Sequence, residues 1–301
     1  MIRMDQAIAF NNYQGRMIYI RRNHVGAFQI YHRGQGGDIQ ERLIQMDGEG
    51  GEVIRRKNQV IHIFPKKRSV IVEKLSSRSR PKGPLASKVP RYNPSMASSY
   101  RLFLTGTERI AGRKTMRIQI KPKDFYRYGY HLWLDEKTAL PLKSQLIDSK
   151  RSSPIEELRF TSIILGDSIS NDNLTGDLES SDYSWINSSS SKIIGRSAPA
   201  EINWLVADLP PGFVITGAHL EYINSSKDPR MHLVYSDSIA SVSVFVDIGV
   251  AASEQIQGLS KMGAANAYSL MLDGWLVTAM GEVPAETVKK IAVSVRRKDR
   301  S

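Results

Sequence analysis

Six histidines, a serine set between glycines and two pairs of neighbouring carboxylates are the residues of this 301-residue chain that could support catalysis. None of the histidines stands at the i, i+4 spacing that puts two imidazoles on one helix face around zinc. His24, His32 and His62 fall within strand-like runs. All six read as surface or internally satisfied side chains, and no metal site is expected. The run Gly258-Leu259-Ser260-Lys261-Met262-Gly263 has one residue too many between the serine and the second glycine for a nucleophile elbow, and reads as a turn before a strand. Gly48-Glu49-Gly50-Gly51 has neither the spacing nor the following helix of a phosphate loop. Asp135/Glu136 and Glu156/Glu157 are adjacent in strand or turn context, so their side chains diverge and are expected to be solvated. The absence of cysteine excludes disulfides, thiolate metal sites and a cysteine nucleophile. The expectation is a protein that is not an enzyme and needs no cofactor.

Charge points towards binding. The net charge is +12, and it is unevenly spread: residues 1–180 carry +13, residues 181–295 carry −4, and Arg296, Arg297, Lys298 and Arg300 form a basic tail. A one-sided basic domain attracts nucleic acid, anionic head groups or acidic peptides. Tyr126-Arg127-Tyr128-Gly129-Tyr130 interleaves aromatics with a base as single-strand binders do, but no RNP1-type motif, helix-turn-helix or zinc finger accompanies it. Nucleic acid is therefore not an expected partner. Residues 75–99 hold four prolines and the bases Arg78, Arg80, Lys82, Lys88 and Arg91 without one acid. A segment this long is either a lid or a solvated loop.

The elements that must position these residues are mostly strands. Met116-Arg117-Ile118-Gln119-Ile120-Lys121 alternates apolar and polar, the period of a sheet with one wet face. Similar runs occupy 16–22, 27–32, 39–46, 59–64, 69–74, 101–105 and 158–165, separated by turn chemistry at Asp47-Gly48, Ala111-Gly112 and Asp135-Glu136. These predict a large curved antiparallel sheet, preceded by a short helix over 4–11. Seven of the twelve residues 180–191 are serine, which is linker composition, although Trp185 suggests that part of it docks. Beyond the linker, Asp273-Gly274 predicts a hairpin, and Pro284 followed by Val288, Ile291, Ala292 and Val295 predicts a helix with one buried stripe. The domains expected are 1–179, a linker 180–199, and 200–301. No apolar run approaches the ~18 residues of a membrane span, so the chain is not expected to cross a bilayer, and residues 1–10 lack the features of a secretory signal.

Three runs carry a resemblance. Tyr126-Arg127-Tyr128-Gly129-Tyr130-His131-Leu132-Trp133-Leu134-Asp135 with the turn and strand to Ser144 is similar to a hairpin of the MucB/RseB family. Residues 235–246, beginning Tyr235-Ser236-Asp237-Ser238, and the run Gly263-Ala264-Ala265-Asn266-Ala267-Tyr268 with Gly281-Glu282-Val283-Pro284 resemble that family's smaller domain in the same order. Ser238 departs from it, standing where glycine is usual. The resemblance implies a mostly β (α+β) chain: a lipoprotein-carrier-like (LolA/LolB-like) half-barrel, then a smaller α/β domain with an antiparallel sheet and C-terminal helix. It further implies a periplasmic regulator of a sigma-E-type stress response. Such a protein binds the periplasmic segment of an anti-sigma factor of the RseA/MucA type, shields it from site-one proteolysis, and responds to lipid A or lipoprotein acyl chains; simple lipid or lipoprotein carriage is the alternative, and a homo-oligomer is compatible with either. On this reading Arg78, Arg80, Lys82, Lys88 and Arg91 meet the head group. Phe28, Ile30, Met116, Ile118 and Trp133 line the cavity, and Tyr235, Ser236, Asp237, Phe245 and Tyr268 meet the peptide.

Overall fold

The computed structural model describes the chain except for residues 23, 35–38, 57, 75–82, 177–182, 189–202, 222–229, 249–256 and 299–301. A helix, α1 (Ile2–Phe10), leads into strands β1 (Tyr13–Arg21), β2 (His24–Arg33), β3 (Gln40–Gln45), β4 (Glu52–Arg56), β5 (Gln59–Phe64) and β6 (Ser69–Lys74). After the short helix α2 (Met96–Ser99) come β7 (Tyr100–Ile110), β8 (Arg113–Pro122), β9 (Gly129–Asp135), β10 (Pro141–Asp148) and β11 (Ser153–Leu165). The two antiparallel meanders join where β11 pairs with β1, and with β12 (Ser184–Ser188) they make one twelve-stranded sheet. β12 adds to the outer edge of β6 in parallel, with Trp185 opposite Val70, so this piece of the serine-rich stretch is docked. β4 is a strand that the apolar-polar alternation did not single out.

Strands β1, β2 and β8–β11 present apolar residues to one face, and that face is not left open; on β4–β6, Ile54, Ile61, Ile63 and Val70 form a separate buried cluster. Met4 and Ile8 from α1, and Leu85, Val89 and Met96 from the segment before β7, are buried against Met17, Ile30, Ile118, Ile120, Leu132 and Leu158. Of the described part of the proline-rich segment, residues 83–99, Leu85, Val89 and Met96 are therefore anchored in the core, while residues 91–95 are exposed. Covering a sheet in this way is what its apolar face requires.

A second, six-stranded sheet follows: β14 (Val214–Glu221), β15 (Arg230–Ser236), β16 (Ser241–Ile248), β19 (Trp275–Gly281), β18 (Ala265–Leu272) and β17 (Gly258–Met262) in spatial order. The Asp273-Gly274 turn joins β18 to β19 with φ of 48° and 79°, the left-handed pair of a two-residue hairpin. α3 (Ala285–Val293) packs on β18 and β19 through Val288, Ile291 and Ala292. Val295 is fully buried as expected, but it belongs to β20 (Val295–Arg297), which pairs with β13 (Trp204–Val206), because the helix ends before it. The run from Gly258 is likewise not a turn: residues 258–262 are β17 itself, and the turn comes at Gly263.

Two of the carboxylates expected to be solvated are buried. Asp135 takes Arg113 Nε at 2.7 Å and the backbone N–H and hydroxyl of Thr138 at 2.9 Å each. Burial pushes its pKa up, yet these donors outweigh it and hold it below the usual value. Glu156 is held down in the same way by Tyr19 and Lys88 against burial. The neighbours do diverge: Glu136 reaches Lys114 at the surface and Glu157 reaches Lys143.

Candidate functional site

On the covered face of the large sheet lies a cavity of about 380 Å³, a size typical of small-ligand sites. β1, β2 and β3 supply Met17, Phe28 and Leu43, β4 and β5 supply Val53 and Val60, and β11 supplies Leu158. Gly83, Pro84, Ser87 and Lys88 lie across it. Its alternate-residue lining follows from strand geometry, since every second side chain of each strand reaches the same face.

The polar groups that enter this apolar space are tied to one another. Glu41 accepts from Arg55 at 2.9 Å and contacts His32 Nδ1 at 2.8 Å, although it is almost fully buried. Burial raises its pKa, but the His32 and Arg55 interactions exceed that effect and hold it below the ordinary carboxylate value. Gly83 is required here: a Cβ at this position would stand 2.2 Å from Glu41 Oε2, so only glycine lets the crossing segment approach. Lys88 Nζ donates to Tyr19 Oη and Glu156 Oε2, both at 3.0 Å, and its carbonyl accepts from Ser144. Those two partners raise the Lys88 pKa against the opposing effect of burial.

Of the residues expected at a head group, Lys88 borders the cavity and Arg91 is exposed away from its lining. Arg78, Arg80 and Lys82 lie outside the described residues. Of the five expected to line it, only Phe28 does. Ile30 and Ile118 are consumed by the core, and Met116 is exposed. Trp133 stands on the opposite face of the sheet, between Arg117 and Lys143, where its indole donates to Glu108. Sequence reading missed Glu41 and Arg55, and took His32 only as a surface or internally satisfied side chain. The alternation of β3 and β4 could have flagged the first two, since Glu41 and Leu43 fall on one face.

The second candidate region is the contact between the two sheets, and it is built on the tyrosine run. Arg127 is fully buried. It donates to Asp237 Oδ2 at 2.7 Å, to Asp124 at 3.0 Å and to the Pro211 carbonyl, with the rings of Tyr100 and Phe213 on either side. Tyr100 Oη also donates to Asp237 Oδ2, and burial beside that carboxylate raises the Tyr100 pKa far above its normal range. Asn266 donates to Tyr128 Oη, and Thr287 donates to the Tyr126 carbonyl. The aromatic-basic run therefore forms a junction between the domains and presents no stacking platform.

Of the peptide candidates, Asp237 lies in this junction. Asp237 is committed to Arg127, Tyr100 and the backbone N–H groups of Ile239 and Ala240. Tyr235 is buried and accepts from the Val206 N–H, and Ser236 donates to the Ala240 carbonyl. Phe245 and Tyr268 are half-buried, Phe245 against His232.

Both parts of the chain match one family. Residues 1–178 match the MucB/RseB N-terminal domain and residues 198–296 the MucB/RseB C-terminal domain. This chain belongs to the MucB/RseB family. MucB of Pseudomonas aeruginosa, a regulatory protein of the sigma factor AlgU, is 30% identical over 309 aligned residues, covering 98% of this chain and 89% of the relative. RseB of Haemophilus influenzae, a sigma-E factor regulatory protein, is 26% identical, covering 98% and 89%. Among solved structures, the Pseudomonas aeruginosa MucA/MucB complex is 28% identical with a TM-score of 0.72 over 99% of this chain and 98% of that one. MucB in complex with MucA(peri) gives 0.73 with the same identity and coverage. The family is thus one of regulatory proteins, and the mostly β architecture with its two sheets is common to this chain and MucB.

Proposed function

We propose that this protein is a periplasmic negative regulator of a sigma-E-type envelope-stress response. It binds the periplasmic segment of a MucA/RseA-like anti-sigma factor, keeps a site-one protease from that segment, and lets go when a lipidic signal occupies the first domain. The observation that carries the reading is the likeness over 99% of the chain, through both sheets, to MucB in its complex with MucA. The chemistry of the chain agrees with a binding role, because the buried carboxylates near the cavity are engaged in ion pairs.

The lipid part of the proposal rests on the cavity. Its lining is mainly aliphatic and aromatic, and its charges are paired with each other, which suits an acyl chain better than a polar solute. Each methylene buried there contributes about 0.8 kcal/mol. The bases of residues 78–91 are proposed to meet an anionic head group. Lys88 would have to leave Glu156 to do so, whereas Arg91 is exposed.

The test is calorimetry of the full chain with the periplasmic segment of the anti-sigma factor from the same genome, alone and with lipid A present, alongside a protease-protection assay. The expected result is one-to-one binding, protection of the segment from cleavage, and weakening of both by lipid A. Absence of peptide binding, with retained acyl-ligand binding, would replace this reading with lipid or lipoprotein carriage.

A further inference from the structure

The two strands at the edge of the smaller sheet bring together three metal-binding side chains that are dispersed in the sequence. His219 on β14 and His232 on β15 are directly opposite in the antiparallel register, and Glu221 is two residues along β14, on the same face. Met231, Leu233 and Tyr235 point to the other face and form the core, so the three donors lie on the face away from that core. Their side chains are 19%, 15% and 28% exposed, in the order His219, His232, Glu221.

The donor atoms converge. His219 Nε2 is 3.1 Å from His232 Nδ1 and 3.1 Å from Glu221 Oε1, and His232 Nδ1 is 2.7 Å from the same oxygen. A point about 2 Å from all three, the length of Zn–N and Zn–O bonds, lies about 1 Å above their plane. That is the apex of a shallow tripod with a fourth position open. The other ring nitrogen of His232 lies 3.0 Å from Ser243 Oγ, and its ring stacks on Phe245 with centroids 4.3 Å apart, so the imidazole is held in orientation from behind. The nearby positive charge of Arg230 is engaged by Asp247.

Hydrogen bonds alone do not satisfy this triangle. A carboxylate at neutral pH only accepts. For both histidines to bond Glu221, both facing nitrogens must carry a proton, and the two N–H groups then oppose each other at 3.1 Å. For the two rings to bond one another, one nitrogen must be bare, and its lone pair then faces the carboxylate. Every assignment of protons leaves at least one edge with like ends together. One divalent cation accepts all three lone pairs at once. Two imidazoles favour a transition metal over Mg²⁺ or Ca²⁺, and two histidines with one glutamate and an open position suit Zn²⁺.

We infer that His219, Glu221 and His232 form a Zn²⁺ site that clips the edge strand β14 to β15 and leaves one coordination position for water or an outside donor. Among the described residues this is the one group of three or more such side chains close enough to hold an ion. The remaining histidines, 24, 32, 62 and 131, all belong to the other sheet.

The test is titration of the metal-free full chain with ZnCl₂ by calorimetry, with His219→Gln, Glu221→Gln and the double variant His219→Gln/His232→Gln prepared in parallel and checked for fold by circular dichroism. The expected result is one Zn²⁺ per chain, at least a tenfold loss of affinity in each single variant, abolition in the double variant, and a Zn²⁺-dependent rise in Tm confined to wild type. A Co²⁺-loaded sample should show the visible absorption of a four- or five-coordinate centre. Absence of binding by wild type, or equal binding by the folded double variant, would overturn the assignment.

Discussion

Arg127→Met is the substitution that most directly probes how the two domains are held. Methionine keeps most of the length and the packing between Tyr100 and Phe213, but removes the charge that faces Asp237, and both partners of that ion pair are fully buried. Removing one member of a buried pair typically costs about 3–5 kcal/mol, because the remaining charge is left uncompensated. Here Tyr100 Oη and two backbone N–H groups still serve Asp237, so the lower end, about 3 kcal/mol, is expected. Asp237→Asn should cost less, since the amide can still accept from one neighbour. The double variant should be more stable than the sum of the single losses by about 2 kcal/mol, the mark of a direct coupling. Urea denaturation read by tryptophan fluorescence is the assay, with limited proteolysis to follow docking. Trp133 and Trp185 report the large sheet, and Trp204 and Trp275, whose rings pack together, the smaller domain. Because a two-domain chain need not unfold in one step, loss of the junction should also separate the two transitions. Losses below about 1 kcal/mol that add independently, with a single transition preserved, would refute the argument that this pair holds the domains together.

Two further outcomes follow from named contacts. Ser238 has φ of 83° and a buried hydroxyl without a partner, so Ser238→Gly should relieve backbone strain and an unsatisfied polar group, raising stability by about 1 kcal/mol after the entropy cost of glycine; a fall in Tm would contradict this. Glu41 has a depressed pKa in the fold, so its stabilising contribution is complete above the ordinary carboxylate range and is lost as pH falls through its folded value. Glu41→Gln should therefore lower stability by roughly 1–3 kcal/mol at pH 7, with the gap to wild type closing on acidification; a gap independent of pH in denaturation curves would show that the charge contributes nothing.

The sequence by itself determined most of the strands and turns of the large sheet, with β4 the exception, but not β17 or β20 of the smaller domain. A side-chain period of two, enforced by the pleat, is written into Met116–Ile120 and the similar runs, and the left-handed turn at Asp273-Gly274 is set by residues that tolerate positive φ. Motif order likewise sufficed for the family. Local pattern does not encode which strands become neighbours, in what register, or what covers them, because those depend on contacts between residues far apart in the chain. Arg127 meets Asp237 across 110 positions, so the tyrosine run looked like a possible ligand surface until the second domain was placed against it. The alternation marked Ile30, Ile118 and Phe28 alike as inward, but only packing decided that α1 and residues 83–99 fill most of that face and leave a cavity beside Phe28. Trp133 shows the converse, an aromatic residue placed by strand parity on the far side. The histidines make the same point most sharply: a search for helical spacing passed over His219 and His232, thirteen positions apart, because only antiparallel register sets them side by side.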